Sequence, residues 1–490
     1  MPETIEAAPA MPEARAGDTA FSPRDRLAIT ILLISTFVVI LNETIMAVAL
    51  PRLMDDLSVS ASAAQWLSTA FMLTMAVVIP VTGFLIQRMH TRPVFIMAMA
   101  AFSAGTLLCA LAPGLNALIV GRIVQAVGTA IMVPLLMTTV MTLVPPATRG
   151  ATMGKLSIVI SVAPAIGPTI SGIILDFLDW RWIFGIVLPI ALAALVLGAR
   201  RIPNVSEPRY APVDVLSVPL AAIAFGGLVY GLNSLGEGAG HRGPVSGELA
   251  VIVGVVTMIV FVLRQLYLQK ADRALLDLRT FRSPIFTISV VMMAVCMMAL
   301  LGVMILLPIY TQNVLDLSPL QTGLLLLPGG LVMGLMAPPI GRFYDKHGAR
   351  ILIIPGAVLM TGVMVWLATV TPETAWSMVL AAHVVLSVGL GLLFTPLFTA
   401  SLSAVPVQLY SHGSAVLGTI QQVAGAAGTA LFVALMSLRA AELAQTGVEA
   451  HAALAGGVRL AFLWGAGIAV FAIVAAFFIR RPAEEGPAHH

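Results

Sequence analysis

Charged side chains are scarce in this sequence. Of its 490 residues, 59% are hydrophobic and only 10% are Asp, Glu, Lys or Arg. Soluble domains carry about 25% charged residues, so a chain with less than half that share cannot cover a water-facing surface. The sequence therefore predicts a polytopic membrane protein. The small net charge of +3 reflects membrane topology rather than nucleic-acid binding, because nearly all basic residues fall between apolar runs.

Chemically reactive groups are scarce as well. The two cysteines, Cys109 and Cys296, both lie in apolar runs, which is typical of inert packing residues and excludes a disulfide framework. We find no metal-ligand cluster, no paired carboxylates and no nucleophile beside a base, so we expect no metal, no cofactor and no enzymatic activity. The sequence contains no G-x-x-x-x-G-K-[ST] segment, which argues against ATP hydrolysis by this chain.

Long apolar runs are what the sequence has instead. About 20 apolar residues cross the hydrocarbon layer as a helix, and this length predicts an all-α integral membrane protein with fourteen transmembrane helices. Their predicted ranges are 27–50, 63–86, 93–112, 115–143, 151–176, 181–199, 214–235, 248–269, 284–311, 319–341, 350–370, 375–399, 411–438 and 457–479. Residues 1–26 and 481–490 are predicted to be cytoplasmic tails, the first of them disordered because it is rich in Ala, Pro and Glu.

The basic residues predict the orientation. With fourteen helices, 20 Lys and Arg fall on one side of the membrane and 5 on the other, and Arg122, inside a helix, completes the total of 26. The positive-inside rule then places both termini in the cytoplasm and the chain in the inner (cytoplasmic) membrane. One helix more or fewer would have distributed the Lys and Arg residues over both sides of the membrane, so the asymmetry supports fourteen helices.

An internal repeat predicts the domain organisation. GFLIQRMHTR at 83–92 follows the second helix, and GRFYDKHGAR at 341–350 follows the tenth, 258 residues later. Six helices with short loops need roughly 180–200 residues, and the surplus matches two extra helices. We therefore predict two six-helix halves with a linker carrying two inserted helices between them, an arrangement typical of rocking transporters. The predicted segments are 27–200, 201–282 and 283–480.

Two polar residues interrupt the first apolar run. Asn42 and Glu43 lie in LNETIMAVALP, and Glu43 is the only carboxylate between residues 27 and 50. A carboxylate in hydrocarbon is costly unless it is neutral, paired or in a water-filled cavity. We therefore hypothesise that Glu43 binds a proton in a transporter. The alternative is an acid that packs between helices and is satisfied by hydrogen bonds.

Arg122 lies at a matching depth in the fourth predicted helix. Glu43 and Arg122 are each seven residues from the outer end of their helices, roughly 10 Å at 1.5 Å per residue. Burial favours a neutral carboxyl and a nearby guanidinium favours a carboxylate, so an acid under both influences can change protonation near ambient pH. We expect Glu43 to load a proton from outside and release it inside, with Arg122 adjusting that exchange. A structural role for Arg122, bonded to backbone carbonyls, is the alternative.

Four segments carry a family resemblance. They are LNETIMAVALP, the loop GFLIQRMHTR, GRIVQAVG at 121–128 and GPTISG at 167–172. Together with the helix count, they resemble the fourteen-helix drug:proton antiporter family of the major facilitator superfamily, over about residues 25–480. The chain departs from the family pattern at Gln87, which replaces an acid, at His90, which replaces a glycine, and at Ser171, which replaces another glycine.

The resemblance implies an antiporter seal and a cytoplasmic latch. The seal would consist of Gly167, Pro168 and Gly172, where proline kinks the helix and glycines allow close contact with a helix of the other half. Ordinary packing of small residues is the alternative. The latch would rest mainly on the second loop copy, which keeps its acid. Its residues are Gly83, Arg88, Arg92, Gly341, Asp345, Lys346 and Arg350.

The substrate path is predicted from polar and aromatic residues at membrane depth. An adaptable apolar cavity with amides and one acid suits amphipathic, neutral or cationic molecules rather than polyanions. The candidates are Asn42, Gln65, Trp66, Gln125, Phe394, Gln421 and Gln422. We expect a small amphipathic substrate, protons and the lipid bilayer as partners, and no nucleic acid; the sequence leaves the oligomeric state open, a monomer included.

Three functions stay open at this point. The first is a proton-coupled antiporter that exports drugs by alternating access. The second is a dedicated proton-coupled exporter of one metabolite, lipid or siderophore on the same fold. The third is a membrane protein that transports nothing, such as a sensor or a scaffold.

Overall fold

The computed structural model describes residues 22–59, 61–205, 208, 214–236 and 245–479. The predicted tail 481–490 and most of the predicted tail 1–26 lie outside these ranges. The last residues of that first tail are helical, because Pro23 begins the first helix and the Ser22 hydroxyl caps it by accepting from the Asp25 backbone N–H. The tail boundary predicted at residue 26 was therefore too late.

The described residues form fourteen α-helices and no strand. In chain order, α1 to α14 are Pro23–Leu57, Ala61–Arg88, Thr91–Ala110, Leu115–Leu143, Arg149–Phe177, Arg181–Arg201, Ser217–Gly236, Gly247–Leu268, Pro284–Asn313, Pro319–His347, Arg350–Leu367, Trp376–Ser403, Tyr410–Gln445 and Ala450–Ala476.

The prediction of fourteen spans agrees with this architecture. Within the described residues, thirteen helices are individually long and apolar enough to cross a membrane. The fourteenth span is α5, whose axis bends by 41° between Pro146–Pro164 and Thr169–Phe177. The predicted kink at Gly167–Pro168 falls in that break, where proline supplies no backbone N–H to the helix.

The two most extensive contacts between the predicted halves join α5 with α10 and α2 with α13. Glycines allow the first pair to approach closely. A Cβ built on Gly154 would lie 2.5 Å from the Ala337 carbonyl oxygen, and one on Gly150 would lie 2.5 Å from the Gly341 carbonyl oxygen. In the second pair, a Cβ on Gly83 would lie 3.0 Å from the Ser411 carbonyl oxygen. Backbone therefore meets backbone across both contacts, on the predicted cytoplasmic side.

The inserted helices α7 and α8 pack against each other, and α7 also contacts α2 and α13. An ion pair ties their ends together, with Arg264 Nη2 2.6 Å from Asp214 Oδ1. Hydrogen bonds from Arg264 hold the pKa of Asp214 down at about 2. The buried Gln265 donates to Ser217 Oγ at 2.8 Å and accepts from the Leu275 N–H at 2.8 Å, which fixes the segment leading to α9. The division into halves and insertion stays a prediction.

The glycine contact between α5 and α10 predicts a sharp difference between two glycines of one helix. Gly154→Ala should lower the stability by about 1–3 kcal/mol, because the new methyl group collides with rigid backbone. Gly172→Ala is the matched control, since a Cβ there would meet no atom within 4 Å. Thermal unfolding of the purified variants measures the difference, and equal midpoints would contradict the contact.

Candidate functional site

Among the described residues, Arg122 is the most deeply buried basic residue, with 1% of its surface exposed. Its Nη1 donates to Asn42 Oδ1 of α1 at 3.3 Å and to Gln125 Oε1 of α4 at 3.2 Å. The guanidinium carbon lies 4.0 Å from the centre of the Phe71 ring of α2. Three helices therefore meet at one guanidinium, and the aromatic face stabilises its charge.

A hydrogen-bonded chain continues from this arginine into α3. Gln125 Nε2 donates to Thr106 Oγ1 at 2.8 Å, and Thr129 Oγ1 donates to the Gln125 backbone carbonyl at 3.1 Å. Arg122, Gln125 and Thr129, which follow one another at helical spacing on α4, are thus all buried and hydrogen-bonded. Asn42 and Gln125 were both proposed from the sequence as substrate ligands. In the structure they accept hydrogen bonds from Arg122.

Glu43 lies half-buried beside Asn42, close enough to Arg122 for their charges to attract. Among the described residues, its carboxyl forms no hydrogen bond or ion pair, so the hydrogen-bonded partners of Arg122 are Asn42 and Gln125. Two donors of this group, Arg122 Nε and Asn42 Nδ2, are buried without an acceptor among the described residues. A carboxylate is the acceptor that such donors bind most strongly.

The predicted antiporter seal lies next to this group, in a different contact from the one expected. A Cβ on Gly167 would lie 3.0 Å from the Thr44 Cβ, so α5 touches α1 of the same predicted half at the residue after Glu43. The expected contact with a helix of the other predicted half is seen at neither glycine, because Gly167 packs on α1 and a Cβ on Gly172 would meet no atom within 4 Å. Gly150 and Gly154 make that contact. Their four-residue spacing, typical of close helix pairs, was the signal that sequence reasoning missed.

A small cavity lies at the centre, between α5, α9, α10, α12 and α13. Its volume is about 30 Å³, room for about two water molecules. The lining residues are Ser157, Ile160, Ser161, Met297, Leu300, Met333, Phe394, Phe398 and Gln421. Two of the seven substrate candidates, Phe394 and Gln421, therefore lie together here. Ser157 and Ser161 were missed, although their spacing of four residues marks one polar face of α5.

The other substrate candidates lie elsewhere. Trp66 stacks on Tyr230 of the inserted helix α7, with ring centres 6.2 Å apart. Gln65, its neighbour in α2, is half-buried. Gln422 is half-buried and does not line the cavity.

The latch residues occupy the predicted cytoplasmic side. The Asp345 carboxylate of α10 accepts from the backbone N–H groups of Gly150 at 2.7 Å and Ala151 at 2.8 Å, in the first turn of α5. A helix N-terminus favours such an anion. At the equivalent position of the first repeat, Gln87 of α2 binds His412 in the first turn of α13, with Gln87 Oε1 2.9 Å from His412 Nε2.

The remaining latch candidates bind locally. The Arg88 guanidinium lies 5.9 Å from the Phe84 ring centre, and that of Arg350 lies 5.8 Å from the Phe477 ring centre. The Arg92 backbone N–H donates to Asn204 Oδ1 at 3.3 Å, and Lys346 is exposed.

Comparisons with known proteins agree with this arrangement. The family model described as Major Facilitator Superfamily matches residues 32–429. The uncharacterized MFS-type transporter YcnB of Bacillus subtilis (strain 168) is 40% identical over 461 residues, 94% of this chain and 96% of YcnB. The lincomycin resistance protein LmrB of the same organism is 39% identical over 457 residues, 92% of this chain and 95% of LmrB.

A solved structure shares the fold. The crystal structure of the human organic anion transporter MFSD10 (TETRAN) matches with a TM-score of 0.67 at 14% identity, over 93% of this chain and all of that chain. The helical architecture, the family match and the two bacterial relatives lead to one conclusion: the chain belongs to the Major Facilitator Superfamily and is an integral membrane transporter, not an enzyme.

Proposed function

We propose that this transporter is a proton-coupled antiporter that exports amphipathic, neutral or cationic small molecules by alternating access. The observation that carries the proposal is Glu43, a carboxyl beside an arginine that is bonded to Asn42. Because Arg122 attracts Glu43 without an ion-pair contact, the carboxyl is free to take up and lose a proton. The unpartnered donors on Arg122 and Asn42 provide a second position for the carboxylate, reached when the proton leaves.

The energy for export comes from the proton gradient. A charge crossing the membrane gains about 2.3 kcal/mol per 100 mV, and each pH unit adds about 1.4 kcal/mol. One proton can therefore sustain a substrate ratio of roughly a few hundred to a few thousand. In this proposal protons enter from outside to Glu43 and leave to the cytoplasm, which requires the chain in the inner membrane with both termini inside. The distribution of Lys and Arg supports that orientation.

The central cavity supports the substrate class. It combines methionine and phenylalanine side chains with the neutral polar groups of Ser157, Ser161 and Gln421, and none of its lining residues is charged. Methionine side chains repack around varied shapes, as an exporter of several drugs requires. The lincomycin resistance named for LmrB supports export of a drug. The partners in this proposal are a small amphipathic substrate, protons and the lipid bilayer.

A dedicated exporter of one metabolite, lipid or siderophore is the second candidate on this fold. The two differ in a competition assay with proteoliposomes and an imposed pH gradient. Structurally unrelated dyes should inhibit one another's transport by a drug exporter. A dedicated carrier should neither transport these dyes nor be inhibited by them.

Neutralising Glu43 tests the coupling. Glu43→Gln should abolish substrate-induced proton release in everted vesicles while substrate binding persists, because the amide cannot exchange a proton. Asp55→Asn is the matched control, since Asp55 is an exposed carboxylate of the same helix. Unchanged proton release from the Glu43 variant would remove Glu43 from the coupling and leave the family assignment intact.

Removing the Asn42 amide tests its role in holding Arg122. In Asn42→Ala, Arg122 loses that partner and can pair with Glu43, which stabilises the carboxylate. The pH profile of antiport should then move to a more acidic outer pH, because protonating Glu43 must break this pairing. A pairing energy of about 1.4 kcal/mol corresponds to a shift of about one pH unit. The pH profile of transport measures this shift. Thr129→Val is the control, because the Thr129 hydroxyl bonds only its own helix, and a shift of similar size there would contradict the prediction.

Two adjacent amides test the cavity. Gln421→Ala should raise the substrate KM about fivefold, since a polar contact contributes about 1 kcal/mol. Gln422→Ala, outside the cavity lining, should leave KM unchanged. Transport kinetics of both variants measure the two KM values. A higher KM for Gln422→Ala than for Gln421→Ala would place the substrate outside this cavity.

A further inference from the structure

The contact between α2 and α13 differs chemically from its counterpart between α10 and α5. Gln87 and Asp345 are 258 residues apart, at the same position of the two loop repeats. Asp345 binds the first turn of α5 as an anion, through two backbone N–H groups. Gln87 binds the first turn of α13 through a buried histidine, His412, which has 2% of its surface exposed. One contact is anionic and the other contains a titratable base.

The hydrogen bonds of His412 define its protonation state. The Asp277 backbone N–H donates to Nδ1 at 3.4 Å, so Nδ1 carries no proton. Nε2 therefore carries the single proton of a neutral imidazole and donates to Gln87 Oε1 at 2.9 Å. His412 thus joins three segments: α2, α13 and the linker between the inserted helix α8 and α9.

A second proton would break one of these bonds. An imidazolium carries N–H groups on both nitrogens, so Nδ1–H would point at the Asp277 N–H, donor against donor. Gln87 could still accept from Nε2, but the linker would lose its attachment to α13. The linker cannot adjust freely, because Gln265 binds the Leu275 N–H and Arg279 binds Asp277.

The charged groups around His412 are already paired with other residues. On the linker, the Asp277 carboxylate accepts from Arg279 Nε at 3.0 Å, and Arg279 also pairs with Asp272. Arg149 lies over the Tyr410 ring of α13, Arg88 over the Phe84 ring of α2, and Asp214, before α7, is bound to Arg264. The described residues of α4, α9 and α14, which also pack on α13, bring no charged side chain to their ends on this side.

We propose that His412 is a second proton-binding residue of the transport cycle, which holds the linker of the inserted helices on α13 when neutral and releases it when a cytoplasmic proton binds. This extends the proposed antiport, since it adds a protonation step on the cytoplasmic side. The closed contact is favoured at alkaline cytoplasmic pH and lost as that pH falls. The linker that follows the inserted helix pair then has a role: its Asp277 supplies the backbone N–H that makes the contact sensitive to protons.

The test measures opening directly, without transport. Spin labels are attached to Ala271→Cys in the linker and to Gln408→Cys just before α13, two exposed positions, in a full-length chain carrying Cys109→Ala and Cys296→Ala. Glu43→Gln is added to remove the other proton site. Pulsed electron paramagnetic resonance in nanodiscs then gives the distance between the labels from pH 8 to 4. As the pH falls, the population of the long-distance state relative to the short-distance state should rise. At its steepest the rise should approach tenfold per pH unit, as expected for the binding of one proton.

Two variants decide the outcome. His412→Gln should abolish the pH response. Gln87→Glu should move the response to higher pH, because a carboxylate beside Nε2 stabilises the imidazolium; this variant also serves if His412→Gln does not fold. A response that persists in His412→Gln, that is not shifted in Gln87→Glu, or that is absent from the parent chain, overturns the proposal. Since Glu43 is already neutralised and no substrate is present, neither result bears on the proposed antiport.

Discussion

The cost of placing charge inside a membrane is the constraint on which the rest of this structure depends. A charged side chain at the bilayer centre is expensive by at least about 2.5–3.5 kcal/mol, and Arg122 meets that cost with Asn42, Gln125 and the Phe71 ring. These partners come from α1, α4 and α2, and Thr106 of α3 extends the group through Gln125. One guanidinium thereby fixes the relative positions of four helices. Glu43 is left beside it without a bonded partner among the described residues, which is the state that proton exchange requires.

Close backbone contact is the second constraint, and it operates between the two repeats. Hydrocarbon provides no hydrophobic driving force between helices, so small residues and interhelical hydrogen bonds hold membrane helices together. The α5–α10 contact uses both: Gly150, Gly154 and Gly341 bring the backbones together, and Asp345 binds the exposed N–H groups of α5. Contacts of this kind are stable in one arrangement and can be released as a unit. That property suits a transporter that opens to each side in turn.

The two repeats keep the same geometry and use different chemistry. Asp345 and Gln87 both reach the first turn of a helix across the α5–α10 and α2–α13 contacts. Gln87, at the position equivalent to Asp345, binds a histidine at 412, and the linker donates to that histidine. The second contact is therefore completed by two side chains that lie 325 positions apart in the sequence.

The sequence by itself determined the spans, the repeat and the candidate pair Glu43 and Arg122. Hydrocarbon thickness sets helix length, and a charged residue in an apolar run is conspicuous without any knowledge of its partners. The same local signals could not identify what each polar residue bonds. Asn42 and Gln125 looked like substrate ligands and hold Arg122; Gly167 was expected against the other half and packs on α1. Which face of a helix meets which neighbour depends on the packing of the whole bundle. Only the tertiary structure therefore decided that Asn42 is a partner of Arg122, and that Gln87, His412 and Asp277 form one contact.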